Sequence, residues 1–169
     1  MTWTVPTPAI VHEQVVADEA PMLHSWLRMH RANFLMRCAG LTGEQLAERA
    51  VPPSPLSLLG LIRHLTDVER TWFRRRLGGQ DVPAAYPGED SCFAQAEAGR
   101  AEDDYRLLLA EWDEVEQVLS RADPDDMFLH ERIGTMSVRW LYAHLNSEYA
   151  GHIGHADLLR ERVDGVTFS

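Results

Sequence analysis

The chain is predicted to fold as an all-α four-helix bundle, and three observations predict it. Four apolar stretches repeat at intervals of three and four residues, the period of a helix with one buried face. No stretch alternates polar and apolar residues for more than a few positions. No internal repeat or low-complexity tract interrupts the pattern, and 169 residues suffice for one domain with a substantial core. The domain is taken to span residues 1–169, with residues 1–20 as an N-terminal arm or short helix.

The first helix is expected from about Pro21 to Cys38. Leu23, Trp26, Leu27, His30, Phe34 and Cys38 follow one stripe, and Gly40 is a suitable stop. The second runs from about Leu56 to Leu77, with Ser54 or Ser57 as its cap and Pro55 in the first turn. Leu58, Leu61, Ile62, Leu65, Val68 and Trp72 form its apolar face, and Gly78-Gly79 ends it. The third runs from about Ala101 to Arg121, carrying Tyr105, Leu108, Leu109, Trp112, Val115 and Leu119, and stops at Asp123-Pro124. The fourth opens on Ser137 as N-cap and runs to about Val163 through Leu141, Leu145, Tyr149, Ala156 and Leu159; Asp164-Gly165 ends it.

The connections differ. GGQDVPAAYPGEDSCFAQAEAG, between helices two and three, is long enough to serve as a lid or a crossover. ADPDDMFLHERIGTM, between helices three and four, is shorter.

Charge and composition narrow the function. The net charge of −10 would repel a phosphate backbone, so no nucleic-acid partner is expected. All 16 basic residues are arginine, and the one dense run, Arg74-Arg75-Arg76, falls where cations complement a helix C-terminus. Apolar runs are far too short to span a bilayer, and the N-terminus lacks the pattern of a signal peptide. A cytoplasmic protein without membrane contact is expected. Cys38 and Cys92 form no disulfide framework and no zinc-ribbon spacing, and read as small apolar side chains.

The chemistry concentrates in a few side chains. His64 stands in the apolar run of the second helix, between Ile62 and Leu65. On the fourth helix His144, Glu148, His152 and His155 follow at spacings of four, four and three, which places them in one quadrant. Two imidazoles and a carboxylate can hold a divalent metal and leave a coordination position open. Read singly, His64 would be a hydrogen-bonded core histidine and Glu148 a solvated acid. Their grouping favours a metal, because a buried carboxylate needs a partner. His144 and His155 read as supporting contacts near the site. Asp67 and Glu69 could orient a ligand histidine, although a solvated role competes for both. Trp72 could wall a pocket or simply belong to the core. Arg139 and Arg160 could meet an anionic substrate, with a surface role more natural for both.

Two segments together carry a resemblance. LLGLIRHLTDVERTWF, followed by GTMSVRWLYAHLNSEYAGHIGHADLLRERVDG, resembles the DinB-like family of metal-binding four-helix bundles, and more narrowly the branch related to mycothiol-dependent maleylpyruvate isomerase. GLTGEQLAERAVPPSPLSLLGL is similar to that branch as well, so the likeness covers about residues 20 to 165. It implies His64, Glu148 and His152 as ligands of a divalent metal, commonly zinc, with nickel as an alternative. Glu148 stands where many relatives carry histidine. It further implies a low-molecular-weight thiol, of the mycothiol or bacillithiol type, as cosubstrate. The resulting expectation is a metal-dependent thiol S-transferase or isomerase acting on a small electrophile. A metal-dependent hydrolase that activates water, and a non-catalytic metal-stabilised stress-response module, are the competing readings. A homodimer is expected because two-fold pairs are the commonest assembly.

Overall fold

The computed structural model describes residues 2–88 and 90–168. Residues 2–18 form an extended arm rather than a helix. Thr4 bridges Thr42, and Val5 is buried with its N–H donating to Leu41 O (3.0 Å). Helix α1 spans Glu19–Cys38. The short α2, Gly43–Ala47, is set by a capping box in which Thr42 and Gln45 satisfy each other's backbone N–H groups.

Helix α3 covers Leu58–Glu69, and Ser57 is its cap, with Oγ accepting from Gly60 N at 3.0 Å. The helix then continues over Arg70–Leu77 in the wider π winding, so the expected second helix is one rod with a change of pitch. The long connection that follows contains α4, Ser91–Ala94, and a 3-10 turn at Ala98–Arg100. Helix α5 spans Ala101–Leu119. Helix α6 spans Val138–Asp164; Ser137 Oγ accepts from Trp140 N (3.2 Å) at its start. Gly165 ends it with a left-handed φ of +80°, where a side chain would be strained.

The shorter connection holds an antiparallel hairpin that the periodicity did not predict. Strand β1, Met127–His130, pairs with β2, Gly134–Ser137, with Phe128 opposite Met136. Only Phe128, His130 and Met136 of these strands are buried, so each strand offers one or two inward positions, too few to register as alternation.

Helix α1 packs chiefly along α6 and α3 along α5, with α3 also meeting α6, which completes the bundle. Leu27 and Phe34 from α1, Leu61, Ile62 and Leu65 from α3, Phe73, Leu108 and Val115, and Leu141, Leu145 and Tyr149 from α6 are fully buried together. Each large apolar side chain buried in this way contributes about 1.5–3 kcal/mol relative to exposure. Trp26 departs from the expected α1 stripe, being 40% exposed, because the neighbouring inward positions are taken by Leu27 and by a charged residue, Arg31.

That charge belongs to a polar network inside the bundle. Arg31 grips Glu69 with two hydrogen bonds (2.8 and 2.6 Å) and reaches Glu116 with a third (2.6 Å). Tyr149 Oη donates to Glu69 (2.7 Å), and Trp112 Nε1 donates to Tyr149 Oη (3.0 Å). Arg70 and Arg74 both bind the buried Glu111, and Arg63 binds the buried Asp104. These charges tie α1, α3 and α5 together; buried carboxylates are tolerated when matched in this way. No helix among the described residues is long and apolar enough to cross a membrane.

Candidate metal centre

The phase of α3 follows from its buried face. With Leu61, Ile62 and Leu65 facing the core, His64 comes to the rim, half-buried, beside α6. On α6 the burial of Leu141, Leu145 and Tyr149 turns Glu148 and His152 toward α3. The structure therefore brings His64, Glu148 and His152 together across 84 residues of sequence. One ligand atom from each lies within 4.8 Å of the others. His64 Nε2 and His152 Nε2 both donate to Glu148 Oε1, at 3.2 and 3.3 Å. Donor atoms held about 2.0–2.1 Å from a tetrahedral ion stand roughly 3.3 Å apart, so two of the three edges already have the separation a zinc ion requires. The imidazole rings of His64 and His152 meet edge to face at 4.7 Å.

The protonation balance also suits ligation. Burial lowers the His152 pKa, and His64 lowers it further, which favours the neutral imidazole that metals bind. Burial pushes the Glu148 carboxyl up, but hydrogen bonds and charge from His64 and His152 outweigh it and hold the group below its ordinary value. The donor set therefore fits a divalent cation.

The surroundings come from three directions. His155 Nδ1 lies 3.3 Å from His152 Nδ1, placing a second imidazole behind the first on the solvent side. Phe93, on α4, stacks over His64 at 5.8 Å. It can come so close because residue 60 is glycine: a Cβ there would lie 2.5 Å from the Phe93 ring. His144 makes aromatic contacts, stacking on Trp140 (4.9 Å) and meeting Trp72 edge to face (4.7 Å) one turn before Glu148. Burial lowers its pKa.

The remaining candidates have other occupations. Asp67 accepts from Ala85 N (2.6 Å), Tyr86 N (3.2 Å) and Cys92 Sγ (3.8 Å), so it fastens the long connection rather than a ligand histidine. Arg63 assists from the other side by donating to Ser91 O and Cys92 O and lying over the Tyr86 ring at 3.9 Å. Glu69 is fully buried against Arg31, neither solvated nor turned to the imidazoles. Trp72 meets His130, Trp140 and His144, while Phe93 supplies the wall beside His64. Arg139 pairs with Glu19 and Asp125 at the surface. Arg160 closes the end of α1 by donating to Arg37 O and Ala39 O. Phe93 escaped sequence reading; the available signal was an aromatic residue inside a connection too long to be a plain loop.

The helical bundle is that of the DinB-like class, and in this chain two histidines and a glutamate meet at the junction of α3 and α6. Within it, the family model described as mycothiol-S-transferase (MST) matches residues 22–165, and the chain belongs to that family. No curated protein matches the chain.

Proposed function

We propose that this protein is a metal-dependent S-transferase that joins a mycothiol-type thiol to a small electrophile, with His64, Glu148 and His152 as the metal ligands. The observation that carries the reading is the convergence of these three donors at one rim of the bundle, in a chain of the mycothiol-S-transferase family. His64, Glu148 and His152 would hold a divalent cation, zinc foremost, whose charge would favour the thiolate form of the cosubstrate thiol near neutral pH. Three protein ligands is the number found where a position is kept for substrate.

The protein's own residues supply the rest. Its two cysteines are unsuited to the attack: burial raises Cys38 to about 12, and burial with the Asp67 carboxylate raises Cys92 to about 11. The nucleophilic sulfur therefore comes from a separate thiol. His155 steadies His152, and Phe93 keeps water from one face of His64. As the sulfur–carbon bond forms, the bond from that carbon to its leaving group breaks; the leaving group departs with the bonding pair and the thiol proton passes to solvent. The same reading includes one domain over residues 1–169, a homodimer, no nucleic-acid partner, and a cytoplasmic location where small thiols stay reduced.

Elemental analysis of purified protein should find about one divalent metal per chain, retained by wild type and lost in His64→Ala and His152→Ala. With mycothiol and a chromogenic haloaromatic electrophile, the zinc-loaded protein should release halide only when thiol is present. Equal metal-free content of wild type and variants after zinc is supplied rejects the ligand set. Turnover without thiol replaces transfer with hydrolysis.

A further inference from the structure

A second feature lies apart from the triad, between the π-wound end of the α3 rod and the β1–β2 hairpin. A cavity of about 480 Å³ opens there, lined by Thr71, Arg75, Arg76, His130 and Arg132. That size accommodates a small molecule rather than a lone ion.

Its arginines differ from those inside the bundle. Arg31, Arg63, Arg70 and Arg74 are each committed to carboxylates. Among the described residues, Arg75, Arg76 and Arg132 have no carboxylate within 4.0 Å. Arg76 Cζ lies over the Trp72 ring, 4.1 Å from its centroid, a cation–π contact that steadies the guanidinium and uses none of its N–H donors. Burial lowers the Arg76 pKa, and the like charges of Arg132 and Arg75 lower it further, more than Glu131 restores. Asp81 and Glu131 also line the cavity, yet the three guanidiniums leave positive charge in excess, on a chain whose net charge is −10.

His130 adds a directed donor. It is only 5% exposed and stacks on Trp72 at 5.6 Å. Its Nδ1 accepts from the backbone N–H groups of Arg132 and Ile133, both at 3.2 Å, so the neutral ring carries its proton on Nε2. That N–H has no protein acceptor among the described residues. The π winding contributes too: Thr71 and Arg76, five positions apart, both line the cavity, where an α-helix would turn them about 140° apart.

We propose that this cavity binds the oxyanionic group of a small molecule, a phosphate or a carboxylate, held by the guanidiniums of Arg75, Arg76 and Arg132 and by the Nε2–H of His130. The planar forks suit two oxygens at once, which a single chloride cannot use. The site is independent of the metal reading, since none of its residues belongs to the triad.

The test uses the full chain, titrated at constant ionic strength with inorganic phosphate, with malonate and with chloride, by calorimetry and by the arginine Nε–Hε resonances. Saturable binding of phosphate or malonate, absent with chloride, is expected. Arg75→Gln and Arg132→Gln should each weaken it by about tenfold, the scale of one charge-assisted contact. Arg121→Gln, an exposed arginine outside the cavity, should leave it unchanged. Binding of phosphate alone assigns a phosphorylated ligand; binding of malonate alone assigns a carboxylate. Absence of saturation by either anion, or affinities unmoved by Arg75→Gln and Arg132→Gln, overturns the proposal.

Discussion

Substituting Glu69 by glutamine asks whether the acid five positions beyond His64 serves the bundle or the metal centre. The side chain has no solvent exposure, binds Arg31 through both oxygens, and accepts from Tyr149. Glutamine preserves the volume and removes the charge, leaving Arg31, itself 4% exposed, with Glu116 as its one carboxylate partner among the described residues. Breaking a buried pair by removing one partner costs about 3–5 kcal/mol. The surviving Glu116 contact places the expected cost at the low end, about 3 kcal/mol. For a chain of this size each kcal/mol lowers the melting temperature by roughly 2–4 °C, so Glu69→Gln should melt roughly 6–12 °C lower in a calorimetric scan. Metal content measured alongside should match wild type, because Glu69 contacts none of the three ligands. A variant that melts like wild type but loses its metal would refute the assignment of Glu69 to the core network. A variant that loses neither would show that the pair adds nothing to stability.

Other expectations follow from neighbouring residues. Gly60→Ala should force Phe93 off His64, since the new Cβ would meet its ring at 2.5 Å; the shift should appear in the His64 ring resonances, and unchanged resonances would contradict the close packing. Asp67→Asn weakens the hold on Ala85, Tyr86 and Cys92. Contacts to a charged group are worth about 1.5–3 kcal/mol, so proteolysis within residues 79–97 should quicken while global melting moves less than in Glu69→Gln. Burial raises the Glu116 carboxyl, yet hydrogen bonds and charge from His24 and Arg31 prevail and hold it at about 2, below its ordinary 4.5. A depressed folded pKa means that its stabilisation is present above 4.5 and fades as pH falls toward about 2. Glu116→Gln should therefore flatten the fall in melting temperature over that window, and an identical slope would remove Glu116 from the acid response. Ser137→Ala should cost about 1 kcal/mol through the loss of the α6 cap, measurable by denaturant unfolding.

How far the sequence could be read depended on the range of each interaction. Ser57 and Ser137 bond to backbone N–H groups three residues on, and Gly165 meets a conformational demand of its own position, so all three signals were local and legible. The helical stripes of α3, α5 and α6 were legible for the same reason: burial recurs at the helical period wherever one face meets a core. Glu148 and His152 stand one turn apart on a single helix, so their adjacency required no tertiary knowledge. His64, on another helix, was grouped with them on its residue type and its place in an apolar run, and the family resemblance implied the same set.

Tertiary structure decided the partners. Nothing local to Asp67 or Glu69 shows that one acid turns to a connection 18 residues ahead and the other to Arg31, 38 residues behind. Phe93 reaches His64 only because the connection is fastened by Asp67 and Arg63 and because Gly60 leaves room. The hairpin stayed hidden because each strand spans four residues, and the π winding because hydrophobic spacing barely distinguishes it from an α-helix over eight. The three donors on α3 and α6 were nameable from the amino-acid order alone. Their approach to within 4.8 Å depends on how two helices cross, which is set by the packing of the whole core rather than by any short stretch of chain.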